Sequence, residues 1–102
     1  MIIVLAEIRV AEGAIEPVKG AIATMEVESL KEPGCEIYSF STCLSDPTLV
    51  RITERWQTME DLAAHFTLPH MAAFQAALSQ VEILGLEAKA FDVSGEVPLP
   101  GS

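Results

Sequence analysis

A chain of 102 residues is one domain, too short for two independently folded cores. Fifteen acidic against six basic residues give a net charge of −9, a balance that repels nucleic-acid phosphates and anionic lipid heads. Half the residues are apolar and mean hydropathy is +0.35, yet no apolar run approaches the roughly 20 residues that cross a bilayer, so the surplus predicts a subunit interface.

The opening MIIVLAEIRV lacks a basic n-region and a small-residue cleavage site, so no signal peptide is expected. The expectation is a cytoplasmic protein in which Cys35 and Cys43, the only cysteines, are reduced thiols. Residues 2–10 alternate as a strand, with Ile2, Val4, Ala6, Ile8 and Val10 on one face and Ile3, Leu5, Glu7 and Arg9 on the other. From 14 to 31 the period becomes helical: Ile15, Val18, Ile22 and Met25 form an apolar stripe that Leu30 extends. Pro17 falls in the first turn, where its missing N–H costs nothing, and Gly20 weakens the helix by roughly 1 kcal/mol relative to Ala.

Lys31-Glu32-Pro33-Gly34 stops this helix. Residues 35–44 and 48–56 read as a hairpin turning at Ser45-Asp46-Pro47. Thr58 caps a helix over 58–66, with Asp61 three residues on. Thr67 caps a second over 68–80, with Pro69 in its first turn and Met71, Phe74, Leu78 and Val81 facing inward. Residues 82–93 form the last strand. The domain thus spans 1–93, and 94–102 is a Pro/Gly tail that either moves freely or crosses a partner subunit.

The order βαββαβ places the chain in the α+β class, as a ferredoxin-like sheet with its helices on one face. The other face carries Ile3, Leu5 and Leu49, too apolar for solvent. Two sheets packed face to face, helices outside, would bury it in a homodimer.

Nucleotide and phosphate loops are absent: there is no GxGxxG and no GxxxxGK[ST]. On one helix His65 and His70 would point about 140° apart, unlike an i, i+4 ligand pair, and no cysteine lies near, so no metal site is expected. A different cluster stands out. Val50, Ile52, Glu54 and Trp56 share a strand face, placing Glu54 and Trp56 under the two short helices, whose inner stripes His65 and His70 border. Tyr38 and Phe40 share a face of the neighbouring strand. An apolar aromatic pocket with a few polar groups is the usual make-up of a small-ligand site. Plainer roles fit the same residues: Trp56 as core with its indole N–H on a carbonyl, Glu54 paired with an arginine at a subunit contact, each histidine as a core or helix-end residue. Arg51 and Arg55 fall on the opposite face as interface ion-pair partners.

Glu32-Pro33-Gly34-Cys35 with Tyr38, then Glu54-Arg55-Trp56, then His65, Pro69-His70 and Phe74, resembles the antibiotic biosynthesis monooxygenase (ABM) domain family over about residues 1–93. TERWQTMEDLAAHFTLPHMAAF and LAEIR are most similar to its bacterial quinol monooxygenases. The resemblance implies a dimeric ferredoxin-like α/β barrel. It also implies oxidation of a small quinol or aromatic substrate by O₂ without metal, flavin or haem. Trp56 would then orient the substrate ring, in a pocket shared with Tyr38, Phe40, Ile52, Phe66 and Phe74. His65 or His70 would be the base, with Glu54 orienting one of them. Ile52 stands where the polyketide-tailoring members carry Asn, and Glu7 and roughly Gln75 where the haem-degrading members carry Asn and His. Tricyclic antibiotic intermediates and haem are therefore not the expected substrates. Two other functions share the pattern. One is isomerisation of a phosphorylated autoinducer dione, for which Lys19, Lys31, Lys89 and three arginines are few cations; the other is non-catalytic binding of a small ligand.

Overall fold

In the computed structural model, which describes residues 1–101, the strands β1 (Ile2–Val10), β2 (Cys35–Cys43), β3 (Asp46–Trp56) and β4 (Ile83–Asp92) form one antiparallel sheet in the order β2-β3-β1-β4. Helices α1 (Lys19–Leu30), α2 (Met59–His65) and α3 (Pro69–Leu78) connect them, and a 3₁₀ turn at Glu16–Val18 precedes α1. The fold is the ferredoxin-like α+β architecture expected from the sequence. Alternation fixes the register. Ile2, Val4, Ala6, Ile8 and Val10 are all buried, and pairing of Ile2 with Trp56 and Val4 with Glu54 puts those β3 residues on the same inner face.

The core divides in two. Ile2, Val4, Met25, Tyr38, Trp56, Leu62, Met71 and Phe74 pack together at one end. Ala6, Ile8, Val10, Val50 and Ile52 pack at the other, and Phe40 leans on both.

Three local expectations change. Leu30 is exposed and Ser29 buried, because the stripe begun by Val18, Ile22 and Met25 continues in a 4-3-4 rhythm. The hairpin closes over Leu44 and Ser45: Cys43 pairs with Asp46, whose carboxylate accepts from the Thr48 amide (3.0 Å) and draws the turn tight. Thr58 does cap α2, accepting from the Asp61 amide at 3.1 Å. Thr67 caps nothing; its hydroxyl turns back to donate to the Ala64 carbonyl at 2.7 Å, and α3 starts after Leu68 on Pro69.

Among the described residues strand β4 pairs only with β1, and every one of its ten residues is exposed. The helices pack over β2 and β3 and against each other, leaving Leu86 at 67 % exposure on the helix side of this edge. On the outer face Leu5 and Phe91 are also exposed. Leu49, opposite Arg9, is covered more than a solvent-facing residue would be.

Candidate functional site

The site is assembled from chain turns as much as from helices and strands. After α1 ends, Glu32 turns inward, and Gly34 (φ +78°) redirects the chain into β2. Only glycine suits that position: the left-handed backbone disfavours a side chain, and a Cβ would overlap the Asp61 carboxyl. Further on, α2 ends at His65, and after three intervening residues α3 begins at Pro69, so His70 lies in a first turn.

These turns bring Glu32, His65 and His70 together. One oxygen, Glu32 Oε2, lies 2.7 Å from His65 Nδ1 and 2.6 Å from His70 Nε2. A carboxylate oxygen only accepts, so both imidazoles donate to it. In a neutral ring, donation from Nδ1 leaves His65 Nε2 as a lone pair. His65 is 1 % exposed, and this nitrogen has no hydrogen-bond partner among the described residues. Around the ring stand Trp56 (centroids 4.9 Å apart), Tyr38 (5.2 Å) and Phe66 (5.5 Å).

The angle expected between the two histidines does not hold, because it extends one helical rotation across a break. They sit on separate helices, with ring centroids 6.0 Å apart. One donor atom from each of Glu32, His65 and His70 lies within 4.8 Å of the others, the spacing of a set that could hold a metal ion.

Glu54 is placed differently from the expectation. Its Oε1 accepts from Trp56 Nε1 at 2.9 Å, whereas the acid bonded to both histidines is Glu32. Burial raises the Glu54 pKa, opposed by the Trp56 bond. Burial also raises Tyr38, reinforced by the charge of Glu54, which keeps the phenol neutral. Phe74 packs edge-on against Phe40, and Phe40 against Tyr38. Ile52 belongs to the second core cluster, and Phe66 is 61 % exposed at the helix surface. Outside the core, Arg55 pairs with Glu36 within the chain (2.8 Å). A groove of about 340 Å³ between α1 and the sheet is lined by Lys19, Ile22, Glu26, Phe40 and Val50.

Glu32 is the site residue that pattern reading passed over. Its signal was an acid in an otherwise turn-forming Glu-Pro-Gly, following an apolar helix and matched by two histidines flanking a helix break.

The model of the family described as antibiotic biosynthesis monooxygenase matches residues 1–77. Among solved structures, one from Deinococcus radiodurans, described as a "putative antibiotic biosynthesis monooxygenase", superposes with a TM-score of 0.88 at 22 % identity, covering 99 % of this chain and all of its own. A Bacteroides thetaiotaomicron protein, described as a conserved protein of unknown function and possible oxidoreductase, gives 0.78 at 28 % identity, covering 88 % of this chain and 94 % of its own. A conserved protein from Methanosarcina mazei gives 0.81 at 23 %, covering 88 % and 89 %. No curated protein matches the chain.

Proposed function

Because this chain belongs to the antibiotic biosynthesis monooxygenase family, we propose that it oxidises a small quinol or electron-rich phenol with O₂, using its own side chains and no cofactor. The observation that carries this reading is His65 Nε2, a buried and unpartnered base whose ring is held by Glu32 and walled by Trp56 and Tyr38. An unpaired lone pair in an apolar wall favours the arrival of a hydroxyl proton, and Glu32 stabilises the imidazolium that results. The deprotonated substrate then passes an electron to O₂, and the two radicals combine at a ring carbon bearing hydrogen. One oxygen atom stays there as a carbonyl, the other leaves as water, and all four electrons come from the substrate. Phe40 lines the groove beside α1 and packs against Tyr38, whose ring lies 5.2 Å from that of His65, an aromatic run that suits a flat aromatic substrate.

Charge weighs against a phosphorylated substrate. Each lysine already faces a glutamate: Lys19 with Glu16, Lys31 with Glu28 and Lys89 with Glu87, at 2.7, 3.2 and 3.0 Å. The same proposal takes the working unit as a homodimer packed through the outer sheet face, supported by the exposure of Leu5 and Phe91 there and by the uncovered β4.

Oxygen uptake by metal-stripped protein, with a panel of reduced quinols and naphthols, tests the activity. Uptake above autoxidation that drops at least a hundredfold in His65→Gln is the expected result. Uptake that survives replacement of both histidines would remove the base from the scheme, and no uptake on any substrate would remove the oxygenase.

A further inference from the structure

We propose that Glu32, His65 and His70 also form a binding site for one divalent first-row transition-metal ion of the zinc or cobalt type. The proposal goes beyond the oxygenase reading and does not depend on it.

Three independent segments supply the ligands: the turn after α1, the end of α2 and the start of α3. Two imidazole nitrogens and one carboxylate oxygen make a donor set that suits zinc, cobalt, nickel or iron, whereas magnesium and calcium favour all-oxygen sets. The donor atoms lie within 4.8 Å of one another, and the nitrogens approach the shared oxygen at 2.7 and 2.6 Å. Around a tetrahedral ion with bonds of about 2.0–2.1 Å, donors stand about 3.3 Å apart. Binding therefore needs each N···O separation to lengthen by roughly 0.6 Å, with the ion replacing two N–H protons at the centre of the cluster.

The surroundings permit that shift and admit the ion. Glu32 and His65 are buried, but the His70 side chain is 18 % exposed and sits in the first turn of α3, the freest of the three. It lines a surface hollow of about 190 Å³ with Gly20, Thr24 and Phe74, the side from which an ion, and a water as fourth ligand, would enter past His70.

Metal binding also changes the tautomer. An ion on His65 Nδ1 moves that ring's proton to Nε2, so a nitrogen that is a lone pair without metal becomes an N–H with it. Occupancy of this site and base chemistry at His65 Nε2 thus exclude each other.

The test titrates metal-free protein with Co²⁺, following its visible d–d absorption, then adds Zn²⁺ as competitor and Mg²⁺ as control. The chain has only two histidines, so their ring proton resonances report the site without ambiguity. The expected result is one Co²⁺ per chain, displaced by Zn²⁺ and not by Mg²⁺, with both histidine signals affected together. Glu32→Gln and His70→Gln should each weaken binding at least tenfold. Absence of stoichiometric binding overturns the proposal, as does binding unchanged in the better-tolerated His70→Gln variant. Because the readout is equilibrium binding, a failed oxygen-uptake assay leaves this result standing, and a failed titration leaves that assay standing.

Discussion

Trp56 and Glu54, two residues apart on the inner face of β3, satisfy each other inside the core: the indole N–H donates to the carboxylate at 2.9 Å. Neither group has water as an alternative, since Trp56 is fully buried and Glu54 nearly so. Trp56→Phe keeps the ring but strands the acid, and should lower unfolding free energy by about 1–3 kcal/mol in urea titrations. Adding Glu54→Leu to that variant should recover part of the loss. Additive losses would show that the two residues act separately.

Glu54 also sets a pH dependence. Burial raises its folded-state pKa above the ordinary 4.5, so between those two values the folded chain holds more protons than the unfolded one. Its contribution is most favourable below the ordinary value, weakens as pH rises toward the folded value, and is flat above that. Glu54→Gln keeps an acceptor for Trp56 without the charge. The variant should therefore gain stability relative to the parent as pH rises from the ordinary 4.5 to the raised folded-state value, read as the difference in urea midpoints. A difference that does not change with pH would contradict the assignment.

The two cysteines should differ in reactivity. Burial pushes the Cys35 thiol up to about 11, while the Ser45 hydroxyl draws Cys43, at the hairpin tip, below its usual value. Brief iodoacetamide treatment at neutral pH should label Cys43 at least tenfold faster than Cys35 by peptide mass spectrometry, and Ser45→Ala should slow that labelling. Equal rates would refute the distinction.

Gly34→Ala tests the turn that delivers Glu32. Left-handed backbone costs Ala about 1–2 kcal/mol, and overlap with Asp61 adds to it. Asp61→Ala in the same chain should return the overlap contribution and leave the backbone cost. If Gly34→Ala alone is neutral by thermal unfolding, the turn is more forgiving than its geometry implies.

A homodimer through the outer face predicts that Leu5→Glu, at a half-exposed site paired with Lys89, shifts sedimentation from dimer to monomer. A parent chain that sediments as a monomer at micromolar concentration would end that reading.

Most of the fold was legible because its elements are strongly periodic. The alternation of β1 and of 48–56 fixed both inner faces, and Thr58 marked the start of α2. The failures came where one residue of phase or a side-chain bond decides: Ser29 for Leu30, Asp46 inside the hairpin, Thr67 bonded backward. At the site, sequence separated partners that space unites. Glu32 lies 33 residues before His65. A helical wheel drawn through the break between α2 and α3 sent His65 and His70 apart, and periodicity holds no information about a turn that carries a buried acid inward.

Glu32 stands in the turn after α1, His65 at the end of α2 and His70 at the beginning of α3, so one oxygen atom ties the chain leaving α1 to both short helices. At seven residues α2 is far too short to persist alone, and α3 at ten is marginal. Their persistence is borrowed from this fastening and from the sheet beneath. Amide exchange across the helical layer should then follow a shared opening, set by this contact and by the packing beneath it rather than by the length of any helix.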